Sequence, residues 1–125
     1  GGFGAAKNLT NFAFKGKDAD VNPDVARIVR DMSDAGKPVG AVCISPAILT
    51  KILEDKSPEV TIGNDLGTID TIEEIGGLHH ICAVDQIHID RANNLFTTPA
   101  YMLGPGIKEV AAGIEKLVAA VLAAA

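Results

Sequence analysis

Cys43 stands between a short apolar run and an apolar segment with helical spacing, where a single side chain could act as a nucleophile. The run at residues 38–42 follows Gly36 and Lys37 and predicts a fully buried strand. Residues 44–46 then lead into residues 47–53, which predict a helix. A strand, a sharp turn with one reactive side chain, and a helix form the arrangement called a nucleophile elbow.

The N-terminus of the predicted helix after the turn can stabilise a negative charge. Its first N–H groups have no partner within the helix. Such groups stabilise a thiolate and can also bind a negatively charged oxygen. Pro46 fits the first turn of this helix, because a missing N–H is harmless there. We therefore predict that Cys43 is the catalytic nucleophile.

The chain opens with Gly1, Gly2 and Gly4 around a single phenylalanine. This pattern predicts a loop in which the backbone approaches another group closely or needs a positive φ. It matches neither phosphate-binding motif, neither the P-loop nor the full G-x-G-x-x-G. Because a glycine-rich loop normally follows a strand and none precedes Gly1, we expect the chain to be the C-terminal portion of a longer polypeptide.

Composition limits the classes of function. At 125 residues the chain predicts one domain, and its 47% hydrophobic content, with only 4% aromatic residues, predicts a core of aliphatic side chains. The net charge of -5 provides no basic surface for nucleic acid or for an anionic membrane, so we expect neither partner. The two cysteines show no C-x-x-C spacing, which indicates a reducing compartment. We expect the cytoplasm, or the mitochondrion if the source is eukaryotic.

Helical and strand patterns alternate along the chain, which favours an α/β layered sheet. The clearest helix begins with Asn22 as its cap and Pro23 at its first position, and Gly36 ends it. A long amphipathic helix begins at Ile107. Shorter helices are predicted at residues 5–14 and 71–75, and strands at residues 59–62, 80–84, 86–90 and 95–98.

Metal-ligating residue types occur close together in one stretch: His79, His80, Cys82, His88 and Asp90. On strands, His80 and Cys82 would share a face, and so would His88 and Asp90. The spacing matches no zinc motif, so we expect ordinary strand positions and no metal. Asp85 and Asp90 could act as paired carboxylates, but we expect both to be solvated loop residues.

Three motifs carry a resemblance to a known family: G-G-F-G-A-A-K-N-L at residues 1–9, V-C-I-S-P-A at residues 42–47 and T-T-P-A-Y-M at residues 97–102. With them the whole chain resembles the enhancing lycopene biosynthesis proteins, also called isoprenoid biosynthesis glyoxalase ElbB. These proteins belong to the PfpI-like branch of the class I glutamine amidotransferase-like superfamily.

The resemblance implies a flavodoxin-like three-layer sandwich with a mostly parallel sheet. Residues 1–125 would be the C-terminal part of a single domain. The first strands, together with a glutamate that pairs with the cysteine, would lie N-terminal to Gly1. The chain would then pack against its own missing N-terminal segment, and the protein would form a homodimer.

The resemblance also implies a cofactor-independent glyoxalase that converts glyoxal or a related 2-oxoaldehyde to a hydroxy acid. Cys43 would attack the aldehyde to give a hemithioacetal, and the amides of Gly2 and Ile44 would form the oxyanion hole. Gly1, Pro99 and Tyr101 are candidates for the pocket, since loops at the carboxyl ends of strands build sites in open α/β sheets. A structural turn fixed by Pro99 is the alternative interpretation of that loop.

Two departures from the superfamily leave other functions open. The partner glutamate is absent from this chain, and Gly63 and Asn64 stand where many superfamily members carry a histidine. The alternative is a non-catalytic redox-sensing or interaction protein, because an accessible thiolate is what peroxide oxidises first. Glutaminase or protease activity ranks last, since no Cys-His-Glu set can be assembled from these residues.

Overall fold

A computed structural model describes residues 1–125 and has the predicted α/β fold. Six helices and five strands follow one another along the chain, with single 3₁₀ turns between some of them. In chain order they are α1 (Gly2–Leu9), α2 (Phe12–Lys15), α3 (Pro23–Asp34), β1 (Val39–Val42), α4 (Ser45–Ile52), β2 (Glu59–Val60), α5 (Leu66–Ile75), β3 (Leu78–His79), β4 (His88–Asp90), β5 (Leu95–Thr98) and α6 (Ile107–Ala124). No helix combines the length and apolar character needed to cross a membrane.

The strands form two small sheets. The first has the order β1-β5-β4, in which β1 and β5 are parallel and β4 is antiparallel to β5. The second is the parallel pair β2 and β3. Parallel pairs therefore predominate, as predicted, and the register sets Val42 beside Thr98 at the carboxyl ends of β1 and β5.

Helices lie on both faces of β1, since successive residues of a strand point to opposite sides. The prediction that this strand is fully buried was wrong, because only Ala41 is buried and Gly40 is exposed. On one side α6 lies so close that a Cβ at Gly40 would be 3.0 Å from Leu117 Cδ2. On the other side Ala41 packs in the main core with Ile48 and Leu49 of α4. The sheet is thus the middle layer of the predicted sandwich.

The helix boundaries follow their capping residues. The Asn22 side chain accepts hydrogen bonds from Asp24 N and Val25 N, which confirms the predicted start of α3. The α5 helix is longer than the predicted residues 71–75, because the Asp65 carboxylate caps it by accepting from Thr68 N at 3.0 Å. Gly76, at φ 115°, ends that helix as expected.

Two predictions for the N-terminal region were wrong. The glycine-rich loop at residues 1–4 does not exist as a loop, because α1 begins at Gly2. The single helix at residues 5–14 is split at Thr10, whose hydroxyl accepts a hydrogen bond from Phe12 N and whose backbone forms a β-bridge with Val21. A side-chain acceptor and a bridge partner thus replace the helical bonds at this point.

The predicted strands at 59–62 and 86–90 were too long, and the strand predicted at 80–84 was wrong, because none of those residues is in a strand. The β2 strand ends at Val60, because Thr61 N donates to the Thr97 hydroxyl and Ile62 N donates to His79 Nε2 instead of to backbone carbonyls. The β3 strand ends at His79, and β4 begins at His88. The segment between them is not strand, so Cys82 does not lie on a sheet face.

Candidate active site: a cysteine elbow between two helix N-termini

Cys43 occupies a strained turn between β1 and α4, as the sequence predicted. Its φ is 65°, in the left-handed region that non-glycine residues rarely adopt. This conformation costs on the order of 1–2 kcal/mol for a residue with a Cβ. Strain of this kind persists only where neighbouring groups hold it, and it occurs often at functional sites.

Ser45 and Thr98 provide that support. The Ser45 hydroxyl accepts a hydrogen bond from Val42 N at 3.1 Å and donates one to Val42 O at 2.6 Å, which closes the turn on itself. Cys43 N donates to Thr98 O at 3.1 Å, so the turn is also tied to the end of β5. The sequence analysis gave Ser45 no role, although a small hydroxyl residue two positions after the cysteine was a visible signal.

The start of α1 lies directly against this elbow. A Cβ at Gly2 would be 2.8 Å from Val42 O and 3.0 Å from Cys43 Cβ, so only glycine fits. The same position is 3.3 Å from Ile44 N. The structure therefore brings Gly2, Cys43 and Ile44 together. Gly1 is exposed and has nothing within 4 Å of its Cβ position, so it makes no such close approach.

Two helix N-termini meet at the cysteine. Gly2 opens α1, and Ile44 is the N-cap of α4. Neither the Gly2 amide nor the Ile44 amide donates a hydrogen bond to any group of the chain. Unpartnered amides at helix N-termini attract negative charge. The arrangement can therefore stabilise an anion, either a thiolate or an oxygen that becomes negatively charged.

The predicted pocket residues Pro99 and Tyr101 differ in their exposure to solvent. Pro99 is buried and follows Thr98, the residue whose carbonyl accepts from Cys43 N. Tyr101 is 63% exposed on the 3₁₀ turn Ala100–Met102. An apolar cleft of about 430 Å³ opens beside the elbow, with Ile44 and Phe3 in its wall, and Cys43 itself does not line it.

None of the three histidines hydrogen-bonds to Cys43. His79 Nε2 accepts a hydrogen bond from Ile62 N at 3.1 Å, and burial lowers the pKa of this side chain. His80 and His88 stack on each other with ring centroids 4.0 Å apart and planes 13° from parallel. Burial, followed by the neighbouring His80, lowers the pKa of His88. The position after β2 holds Gly63 and Asn64, so the structure places no histidine there.

The structure brings together only some of the residues that the sequence grouped as possible metal ligands. His80 and His88 come together with Glu59, which the sequence analysis did not include, while Cys82 donates to Ala83 O instead. Burial, and next the charge of Asp85, raise the pKa of the Cys82 thiol. We call Glu59, His80 and His88 the Glu–His–His cluster.

The expectation that Asp90 is a solvated loop residue was wrong. Asp90 ends β4 and is 1% exposed. Its carboxylate accepts hydrogen bonds from Glu59 N at 2.8 Å, Asn93 N at 3.0 Å and Asn93 Nδ2 at 2.8 Å. Asp85 is exposed, as expected, and the two carboxylates do not form a pair.

Comparison with known proteins identifies relatives of the chain. The chain is 39% identical over 98% of its length to human glutamine amidotransferase-like class 1 domain-containing protein 3, mitochondrial. It is 37% identical over 98% of its length to the rat ES1 protein homolog, mitochondrial. Its homologues are glutamine amidotransferase-like class 1 domain proteins. The chain covers 48% of each of these relatives, so it spans about half their length.

A solved structure confirms the fold. A crystal structure of an isoprenoid biosynthesis protein with amidotransferase-like domain from Ehrlichia chaffeensis superposes with a TM-score of 0.86 at 34% identity. The match covers 99% of this chain and 56% of that one. No family model matches the chain. The human and rat relatives are named as mitochondrial proteins, and no comparison supports the cytoplasmic location predicted above.

Proposed function

We propose that the protein is an ElbB-like, cofactor-independent glyoxalase of the hydratase type. It would convert glyoxal or a related 2-oxoaldehyde to a hydroxy acid through Cys43. The observation that carries this proposal is the strained Cys43 turn, at φ 65°, with Gly2 packed against it and with the amides of Gly2 and Ile44 making no hydrogen bond within the chain. An activated nucleophile beside an oxyanion hole is the equipment that addition to a carbonyl needs.

The reaction balances without a redox partner. The Cys43 thiolate adds to one aldehyde carbon, a C–S bond forms, and the carbonyl π electrons move to oxygen, where the Gly2 and Ile44 amides hold the negative charge. The hemithioacetal then loses the proton on its sulfur-bearing carbon and gains one at the neighbouring carbon, which gives a thioester. Water cleaves the thioester, so the net reaction takes up one water and returns the thiol.

The proton transfers need a base, and no ionisable side chain hydrogen-bonds to the Cys43 sulfur in this chain. We place the base on a glutamate N-terminal to Gly1, as the family resemblance implies. The homologues are about twice as long as this chain, which leaves room for such a residue. Glutaminase or protease chemistry is less well supported, because none of the three histidines hydrogen-bonds to Cys43.

Glyoxal turnover by the full-length protein tests the proposal. We expect wild-type protein to form glycolate and Cys43→Ser to lose at least 10²-fold in rate, as expected when a catalytic nucleophile is removed. Cys82→Ser is the matched control and should keep wild-type activity, because Cys82 lies outside the elbow. Equal rates for wild type and Cys43→Ser, or no turnover by either, would rule the proposal out.

The absence of a contacting base favours one alternative, a redox-sensing protein that keeps the thiol without turnover. Cys43 is partly exposed, so peroxide can reach it. Under this alternative, mild peroxide would produce sulfenic or sulfinic acid at Cys43, seen by mass spectrometry, and glyoxal would not be consumed. Modification at Cys82 instead would remove the basis for it.

We also propose that the protein forms a homodimer and, if its source is eukaryotic, is mitochondrial like its named relatives. Val118 and Leu122 on α6 are exposed apolar side chains and could contribute to a subunit contact. The substrate would be the only small-molecule partner, with no cofactor, nucleic acid or membrane. Light scattering on the full-length protein measures the oligomeric state directly.

A further inference from the structure

We propose that the Glu–His–His cluster is a binding site for a divalent transition-metal ion of the zinc type. Glu59 begins β2, His80 directly follows β3, and His88 begins β4. His80 Nε2 lies 3.3 Å from Glu59 Oε1, and His88 Nε2 lies 3.9 Å from Glu59 Oε2. All three ligand atoms lie within 4.8 Å of one another. Two imidazoles and a carboxylate are ligands that zinc accepts.

His88 provides an independent observation. Its Nε2 is buried and has no hydrogen-bond partner in the protein. A buried polar atom without a partner is uncommon and needs an explanation, such as an ion that it coordinates. Glu59 Oε2 is 3.9 Å away, which is too far for a hydrogen bond. A metal ion between the two groups would satisfy both.

The separations are compatible with a tetrahedral ion. Zinc–ligand bonds of about 2.0–2.1 Å place neighbouring ligand atoms roughly 3.4 Å apart. The two distances to Glu59, 3.3 and 3.9 Å, lie near that value. The imidazole planes are 13° from parallel, so one ring must rotate for both nitrogens to point at the ion. His80 and Glu59 are each 39% exposed, which leaves room for that rotation and a path for the ion.

Backbone hydrogen bonds hold the ligand positions before any ion binds. Buried Asp90 accepts from Glu59 N at 2.8 Å, and His80 N donates to Val60 O at 2.9 Å. His88 is paired with Thr97 in the β4–β5 ladder. Positioning of this kind lowers the cost of ordering the site.

The ion would join the two sheets of the protein. Glu59 and His80 belong to the β2–β3 side, whereas His88 belongs to the β1-β5-β4 sheet. The elbow is built from β1, α1 and α4, so the cluster uses none of the elements that position Cys43. We therefore assign the ion a structural role, in which it stabilises the contact between the sheets and takes no part in the cysteine chemistry.

The test is to titrate metal-free, full-length protein with Zn²⁺ by calorimetry and with Co²⁺ by visible absorption. We expect one equivalent to bind, to raise the melting temperature, and to give the d–d bands of nitrogen and oxygen ligation without a thiolate charge-transfer band. His88→Gln and Glu59→Gln should each weaken binding by about tenfold or more. Circular dichroism checks that both variants are folded.

The double variant Cys43→Ser/Cys82→Ser is the matched control and should bind the ion as wild type does. No binding to the wild-type protein would overturn the proposal. Unchanged affinity in both His88→Gln and Glu59→Gln, or loss of binding in the cysteine double variant, would overturn it as well, because the ion would then sit elsewhere.

Discussion

The cysteine elbow and the Glu–His–His cluster are built from different parts of the chain. The elbow uses four consecutive residues, Val42 to Ser45, through main-chain groups and the Ser45 hydroxyl, together with the glycine that packs against them. The cluster uses side chains from two strands and from the residue that follows a third, and Glu59 and His80 are 21 residues apart. The first site depends on local backbone conformation, and the second depends on which strands pair.

The two regions should therefore respond differently to mutation. At the elbow, a small change in shape should alter the reactivity of Cys43 through the backbone around it. Beside the cluster, the buried Asp90 side chain holds backbone segments together, so its loss should reduce stability and leave the thiol unaffected. The following variants test these expectations.

Asp90→Ala should have the largest effect on stability. It removes three hydrogen bonds to a buried carboxylate, one of them from Glu59 N, and we expect the free energy of unfolding to fall by about 3 kcal/mol. Urea denaturation measures this change, and the exposed Asp85→Ala should change stability by less than about 0.5 kcal/mol. The alkylation rate of Cys43 in the folded variant should match wild type, and a tenfold slower rate would show that the two regions are coupled.

Gly2→Ala tests the elbow by adding a methyl carbon where no space exists for one. The added methyl carbon would be 2.8 Å from Val42 O and 3.0 Å from Cys43 Cβ, so we expect a loss of about 2 kcal/mol and slower alkylation of Cys43. Gly4→Ala is the matched control, because nothing lies within 4 Å of its Cβ position. That control should be neutral or slightly stabilising. Equal behaviour of the two variants would refute the close packing of α1 on the elbow.

Ser45→Ala removes the side chain that closes the turn. Both of its hydrogen bonds go to Val42, and their loss should cost about 1.5 kcal/mol and broaden the conformations that Cys43 samples. Ser33→Ala loses only a bond from Lys56 Nζ at 2.9 Å and serves as the control. Differential scanning calorimetry should give a clearly lower melting temperature for Ser45→Ala than for Ser33→Ala. A reversed order would mean that the turn holds its shape without the hydroxyl.

Cys43→Gly compared with Cys43→Ala isolates the backbone strain. Neither variant has a thiol, but only glycine adopts a φ of 65° without strain. We expect the glycine variant to be the more stable by about 1 kcal/mol, measured by urea denaturation. A less stable glycine variant would mean that the turn is not strained at this residue.

The sequence was informative where short-range chemistry decides the structure. Asn22 and Pro23 predicted the start of α3, and the residues around Cys43 predicted the elbow. The glycines at the N-terminus were misread as a loop, because the need for close approach is the same whether a glycine lies in a loop or opens a helix. Only the position of Val42 O and Cys43 Cβ next to Gly2 distinguishes the two.

Long-range contacts explain the remaining errors. Thr61 and Ile62 have a strand-like pattern, yet their amides donate to the side chains of Thr97 and His79. Glu59 lies beside the two histidines because β2 pairs with β3. Buried Asp90 likewise depends on a partner amide that is 31 residues away. No local pattern encodes these partners, so a single sequence did not predict them.

The central claim is that the elbow makes Cys43 the reactive thiol, and the chain contains its own reference in Cys82. Burial raises the pKa of Cys82, so its thiolate is scarce at neutral pH. The most direct measurement is iodoacetamide labelling of the folded protein at pH 7, with the rate at each cysteine read by peptide mass spectrometry. We predict that Cys43 is labelled about tenfold faster than Cys82, or more. Equal rates, or faster labelling of Cys82, would contradict the assignment of Cys43 as the nucleophile.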